Sequence, residues 1–84
     1  MPIRVTVFYF ALIADAVGTR EESYTLPDGT VSVADLLSRV SSAHKGMDKY
    51  RRMMKIAVNK ELTDPSCVLR DGDKVALFPP IAGG

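Results

Sequence analysis

A single helical stripe of apolar residues stands among shorter segments in which apolar and polar residues alternate. In a chain of 84 residues, which buries only about 60–65% of its unfolded surface, one helix covering one face of a sheet is the expected limit. Ser32 is placed to cap this helix, Asp35 suits the positive end of its dipole, and we expect Gly46 to end it. The apolar stripe, with helical spacing, consists of Val33, Leu36, Leu37 and Val40.

The first segment, residues 3–10, alternates in the manner of a β-strand. Its opposite face starts polar and ends at Phe8 and Phe10, which predicts an apolar patch on an otherwise solvated surface. The run up to residues 14–16 is also similar to a short signal peptide, but its β-branched and aromatic content favours a strand, and it is too short to span a membrane. The side chains expected to face the core are Ile3, Val5, Val7 and Tyr9.

The remaining elements are shorter, and together they define the fold class. The sequence predicts a helical turn at 11–17 closed by Gly18, a strand at 22–26, a turn at 27–29, a short helix or loop at 47–54, a strand at 56–58, an edge segment at 60–63, and a turn at Asp71-Gly72 before the last strand. This order predicts an α+β fold of the β-grasp (ubiquitin-like) class, with a mixed sheet of four to five strands packed on one main helix. We expect the domain to cover residues 1–78 and an extended tail to cover residues 79–84.

Composition and charge give little sign of a metal, membrane or nucleic-acid function. The 11 basic and 10 acidic residues leave a net charge of +1. Cys67 is the only cysteine, so no intramolecular disulfide can form, which fits a reducing cytosol. No second cysteine or nearby histidine accompanies it, and His44 is distant in sequence. We therefore expect Cys67 to be a packing or loop residue, and we expect no metal site.

The last segment carries the most functional information. A strand leads into Pro79-Pro80 and then into Gly83-Gly84. Proline fixes φ and biases the preceding residue toward extended geometry, so this arm is expected to project from the sheet. Glycine lets a backbone approach another surface closely. The reactive group at such a tip is the α-carboxylate of Gly84, which suits insertion into a narrow site of another protein.

These segments resemble the small subunit of molybdopterin synthase, a β-grasp sulfur carrier. The ending Phe78-Pro79-Pro80-x-x-Gly83-Gly84 is specific for this branch, whereas the similar thiamine-pathway carrier is usually shorter and lacks the proline pair. Ala14-Asp15 stand where the family usually has Arg-Glu. The matching residues span nearly the whole chain and are Phe10-Ala11, Val17-Gly18, residues 32–36, Ala57-Val58-Asn59 and residues 71–84.

The resemblance implies a reaction sequence at Gly84. An E1-like enzyme adenylates the carboxylate with ATP, and sulfur from a donor protein then replaces the adenylate to give a thiocarboxylate. The large synthase subunit, with which a heterotetramer is expected, uses this sulfur to modify a cyclic pyranopterin precursor. The chain is then a cytoplasmic sulfur-donor subunit and not an enzyme by itself. It holds no permanent cofactor, because the activating partner uses the ATP.

The resemblance also implies a docking surface. Phe10, Leu62 and Phe78 occupy positions that contact the activating enzyme and the large subunit. Strand alternation agrees in part, because Phe78 shares the outer face of the sheet with Phe10 if its neighbours face the core. The alternative is that all three side chains belong to the core. The tail that would enter the partner's site consists of Pro79, Pro80, Ile81, Ala82 and Gly83.

Two other functions remain open from the sequence. A ubiquitin-like protein modifier, or a carrier for tRNA or thiamine sulfuration, would use the same Gly-Gly tip. A basic nucleic-acid-binding module is the alternative of another class, because Tyr50 interleaves with a run of cations that only Asp48 opposes. Such a run is more usually a solvated face or the complement of an acidic partner. It holds six of the eleven basic residues, namely Lys45, Lys49, Arg51, Arg52, Lys55 and Lys60.

Overall fold

The structure is a computed structural model that describes residues 2–27 and 31–79. Its five strands are β1 (Ile3–Tyr9), β2 (Glu21–Leu26), β3 (Lys55–Val58), β4 (Glu61–Thr63) and β5 (Lys74–Phe78). Its two α-helices are α1 (Leu12–Val17) and α2 (Val33–Ala43), and a 3-10 turn at Lys45–Met47 follows α2. The predicted order of elements is therefore present.

The five strands form one mixed sheet in the order β2-β1-β5-β3-β4. Strands β1 and β5 are parallel, whereas the other neighbouring pairs are antiparallel. The last strand of the chain thus lies in the middle of the sheet, with hydrogen-bonded neighbours on both sides. The structure confirms the predicted β-grasp architecture, an α+β fold with five strands and one main helix.

The core lies between the inner face of the sheet and α2. Burial of each Val or Leu side chain here stabilises the fold by about 1.5–3 kcal/mol. The predicted inner set of β1 is largely correct, with Val5, Val7 and Tyr9 buried and Ile3 packed partly against the core. The whole predicted stripe of α2 is buried, and β5 adds Val75 and Leu77.

Helix α2 begins as predicted but ends earlier than predicted. The Asp35 amide donates to Ser32 Oγ (3.3 Å) and the Ser32 amide donates to Asp35 Oδ2 (2.9 Å), so both hydrogen bonds of a capping box are present. The prediction that Gly46 ends the helix is wrong, because His44 already has an extended backbone (φ −135°). Gly46 instead permits a close approach to α1, since an added Cβ would lie 2.9 Å from the carbonyl oxygen of Ala16.

The predicted turns are present where the structure describes them. Gly18 closes α1 in the left-handed conformation (φ 88°), and Gly72 has φ 87° in the turn before β5. Residues 48–53 are turns, so of the two predictions for 47–54 the loop is nearer the truth. The turn predicted at 27–29 falls outside the described residues, except for Pro27.

Candidate functional site

An apolar surface covers the outer face of the sheet, on the side opposite α2. It is a shallow depression of about 780 Å³. Residues from β1, β3, β4 and β5 contribute to it, so it depends on the strand order and not on one sequence motif. We call it the outer apolar surface, and it is lined by Phe8, Phe10, Ala57, Asn59, Lys60, Leu62, Lys74, Ala76 and Phe78.

The three residues predicted to contact partners all lie on this surface. The rings of Phe10 and Phe78 stack with centroids 4.6 Å apart and planes 16° apart. Phe10 is 43% exposed and Leu62 is 76% exposed, so the alternative that all three are core residues is wrong. Exposed apolar side chains gathered in one patch are typical of a protein-binding surface. Their contact with a partner remains a prediction.

The position of Phe10 depends on a bend in the backbone directly after it. The Phe10 amide donates to the Leu77 carbonyl oxygen (3.1 Å), which ties the end of β1 to β5 and places Phe10 beside Phe78. Ala11 then adopts φ 50° and ψ −127°, a region that favours glycine. Holding a side chain there costs about 1–3 kcal/mol. The bend separates Phe10 from α1 and leaves its ring on the outer face.

The last strand, β5, ends in the middle of the sheet, next to the outer apolar surface. Phe78 is the last residue of β5, and both Phe78 and Pro79 are half-buried. The base of the tail is thereby held between β1 and β3. Pro80, Ile81, Ala82, Gly83 and the predicted reactive residue Gly84 lie outside the described residues.

Two lysines, Lys60 and Lys74, lie at the border of this surface, and their proximity is not apparent from the sequence. Asn59 (φ 52°) and Lys60 (φ 72°) form the tight connection between β3 and β4. Two successive residues with positive φ are typical of a type I′ hairpin turn, and asparagine at the first position is a recognisable signal for it. The side chain of Asn59 also reaches β5, where its Oδ1 accepts from the Lys74 amide (3.0 Å).

A cluster of polar side chains lies on the helix side of the sheet and centres on Glu22. Its Oε1 accepts hydrogen bonds from the hydroxyls of Tyr9 (2.7 Å) and Tyr24 (3.1 Å), and lies 2.8 Å from His44 Nε2. Burial, followed by the hydrogen bond to Glu22, raises the pKa of Tyr9. Burial also raises the pKa of Glu22, but hydrogen bonds from Tyr9, His44 and Tyr24 outweigh it and lower the pKa overall. The cluster joins the end of α2 to β1 and β2.

Cys67 has a structural setting. It is half-buried and packs partly against the core. Its carbonyl oxygen accepts from the Val33 amide (2.9 Å) at the start of α2. The Sγ atom lies 3.7 Å from the Val68 carbonyl oxygen, while His44 is engaged with Glu22. These contacts agree with the predicted packing role.

The basic run does not form one continuous surface. Lys55 pairs with Phe78 across β3 and β5 and so belongs to the outer sheet face, whereas Arg51 donates to Ser38 Oγ (2.8 Å) on α2. Tyr50 is half-buried against the core, and Lys49 Nζ lies 5.2 Å from its ring centroid. The ring is therefore engaged with the protein, whereas nucleic-acid platforms offer a free aromatic face for base stacking.

Two negative findings apply to residues 2–27 and 31–79. No group of three or more His, Cys, Asp or Glu side chains among them is arranged to hold a metal ion. No helix in these ranges is long and apolar enough to cross a membrane.

The fold and its outer apolar surface define a ubiquitin-like β-grasp domain. The chain belongs to the ThiS family, whose model matches residues 7–84. The molybdopterin synthase sulfur carrier subunit of Chlamydomonas reinhardtii is 34% identical over 84 residues, covering 98% of this chain and 100% of the relative.

Solved structures with the same fold include subunits of molybdopterin converting factors and small archaeal modifier proteins. A putative molybdopterin converting factor subunit 1 from Pyrococcus furiosus has a TM-score of 0.83 and 32% identity, covering 94% of this chain and 99% of the other. SAMP1 (small archaeal modifier protein 1) of Haloferax volcanii has a TM-score of 0.83 and 27% identity, and the match covers 96% of this chain and 99% of SAMP1. A complex of subunits 1 and 2 of the Helicobacter pylori molybdopterin-converting factor contains a chain with a TM-score of 0.64 and 26% identity. The match covers 98% of this chain and 100% of that chain.

Proposed function

We propose that this chain is the sulfur carrier subunit of a molybdopterin synthase. The observation that carries the proposal is the combination of family membership with the position of β5. A strand in the middle of the sheet passes directly into Pro79 beside the exposed Phe10–Phe78 pair. A partner that docks on this pair would receive the tail at a fixed point.

The chemistry proposed for Gly84 follows from the weak reactivity of a carboxylate. Its oxygen attacks the α-phosphorus of ATP in the activating enzyme and releases pyrophosphate, which leaves an acyl-adenylate. Hydrosulfide delivered by the donor protein then forms a C–S bond as the C–O bond to AMP breaks, so AMP leaves and the thioacid loses its proton. The product is a thiocarboxylate, a soft anionic nucleophile held on an arm. The domain contributes docking and positioning, while its partners supply the catalytic groups.

The proposed partners are a large synthase subunit, an E1-like adenylating enzyme and a sulfur donor protein. A two-subunit assembly is supported by the Helicobacter pylori complex, in which a chain of this fold occurs with a subunit 2. We place the reaction in the cytoplasm. ATP enters with the activating enzyme, and the carrier needs no cofactor of its own.

The proposal is tested by mass spectrometry of the intact chain after incubation with the activating enzyme, ATP and a sulfur donor. We expect the full chain to gain the mass of one oxygen-to-sulfur exchange. Deletion of Gly84, or addition of one residue after it, abolishes sulfur transfer but leaves thermal unfolding unchanged, because the sheet ends at Phe78. Deletion of Pro2, an exposed residue before β1, is the matched control and leaves sulfur transfer intact. A full-length chain that never gains this mass would contradict the carrier function.

A ubiquitin-like protein modifier is the second candidate. It is favoured by the similarity to SAMP1 of Haloferax volcanii over 96% of this chain. Both functions begin with the same activation of Gly84, and they differ in the acceptor. Expression of a tagged chain followed by denaturing purification separates them. Covalent conjugates to lysines of other proteins would support the modifier, whereas sulfur transfer to the pterin precursor in the presence of a large subunit would support the synthase.

A further inference from the structure

Two lysines lie at the border of the outer apolar surface. Its nine lining residues include Lys60 and Lys74 but no carboxylate. The strand pairings add Arg4 and Lys55 to the same face of the sheet, on which Glu21 lies at the edge strand β2. Among residues 2–27 and 31–79, the one basic side chain within 4 Å of a carboxylate oxygen is His44, which contacts Glu22 on the other side of the sheet. The two border lysines therefore have no carboxylate partner within this part of the chain.

Asn59 fixes the backbone that carries both lysines. Its amide donates to the Lys74 carbonyl oxygen (2.8 Å), and its Oδ1 accepts from the Lys74 amide (3.0 Å). Its Nδ2 donates to Asp73 Oδ1 (2.9 Å), which holds the side-chain amide in this orientation. The turn that bears Lys60 is thus joined to the strand that bears Lys74, so the separation of their backbones is set before any partner binds.

Lys60 stands in a conformation that glycine adopts more easily. With φ 72° it occupies the second position of the hairpin turn, where glycine is strongly preferred because it has no Cβ. A lysine there weakens the turn and places a long cationic side chain at the border of the apolar surface. A side chain held in a conformation that its backbone disfavours suggests a function at that position.

We propose that Lys60 and Lys74, positioned by Asn59, form a cationic rim that selects partner proteins bearing carboxylates next to an apolar docking centre. This inference rests on the proposed carrier function and specifies which surfaces the carrier accepts. Contact at Phe10, Leu62 and Phe78 excludes water, and rim charges then steer the encounter and discourage partners with basic surfaces. The rim thereby adds specificity to an apolar contact that is itself unselective.

The test compares two double variants that change the charge equally. Lys60→Glu with Lys74→Glu reverses the rim, and Arg39→Glu with Lys45→Glu reverses two exposed cations on α2 and the turn after it. Binding to the large subunit and to the activating enzyme of the same organism is measured by surface plasmon resonance at several salt concentrations. We expect the rim variant to lose roughly tenfold or more in affinity, mainly in the association rate, and the control about twofold or less. Salt should weaken wild-type binding and strengthen binding of the rim variant.

Lys60→Gly gives an independent readout, because it should raise the midpoint of denaturation while it lowers partner affinity. A merely structural role for Lys60 would move both quantities in the same direction. Equal losses for the two double variants, or wild-type binding that does not respond to salt, would overturn the rim. If either of these binding results were found but Gly84 still gained sulfur, the rim would be wrong and the carrier function would stand. If Gly84 gained no sulfur, the carrier function itself would be contradicted.

Discussion

The loss in free energy of unfolding when Phe78 is truncated distinguishes a docking role for this residue from a core role. Phe78 is half-buried and stacks on Phe10 at 4.6 Å. Loss of such an aromatic pair, with partial loss of burial, should lower the free energy of unfolding by about 1–2 kcal/mol. Truncation of a fully buried phenylalanine costs about 3–5 kcal/mol. Phe78→Ala should therefore remain folded and show the same far-ultraviolet circular dichroism as the wild type.

The effect of Phe78→Ala on binding should exceed its effect on stability. An aromatic residue at the centre of an interface contributes about 2 kcal/mol or more, which is roughly thirtyfold in Kd. Calorimetric titration against the large subunit and the activating enzyme, paired with urea unfolding, gives both quantities. Met53→Ala is the matched control, since Met53 is 57% exposed and lies outside the outer apolar surface. Destabilisation by 3 kcal/mol or more with unchanged affinity for both partners would refute the docking argument.

Three further changes test the local structure. Ala11→Gly should raise the free energy of unfolding by about 1 kcal/mol in urea, because it relieves the bend at φ 50°; no gain would show that the bend is unstrained. The pKa of Glu22 is lower in the folded chain than the ordinary 4.5, so its contribution is complete above that pH and is lost as the pH falls through the folded pKa. Urea unfolding of Glu22→Gln should accordingly show a smaller loss of stability between neutral pH and about pH 3 than the wild type, and an equal loss would contradict the role of the cluster. Cys67→Ser should keep near-normal thiocarboxylate formation by intact mass, with a small loss of stability because Cys67 packs partly against the core; a many-fold drop in a folded variant would make the thiol a relay.

Local patterns predicted the elements well where one face of an element is buried. The alternation of β1 and the stripe of α2 each identify a core face, because burial selects apolar residues at the period of the strand or helix. The cap at Ser32 and the left-handed Gly18 and Gly72 are equally local, since each depends on one residue's backbone preference or hydrogen bond. The helix end predicted at Gly46 was wrong, because Gly46 permits a close contact with α1 and no local signal distinguishes such a glycine from one that ends a helix.

The site was predicted only in part. Phe10, Leu62 and Phe78 were assigned to a docking surface chiefly by resemblance, and the structure places them together on one face. The two rim lysines lie in separate segments of the sequence, Lys60 in the basic run and Lys74 in the last strand. Their shared border exists only because Asn59 joins the β3–β4 turn to β5.

Local patterns in the sequence were enough to establish which faces of β1 and α2 are buried, how α2 begins, and that the chain has a β-grasp order of elements with a Gly-Gly ending. These follow from periodicity and from local backbone chemistry, which act over a few residues. Tertiary structure alone decided that β5 lies between β1 and β3, that Phe10 stacks on Phe78, and that the cations of the basic run divide between two faces. Those features join residues far apart in the chain, and strand pairing brings them together through hydrogen bonds that no local pattern encodes.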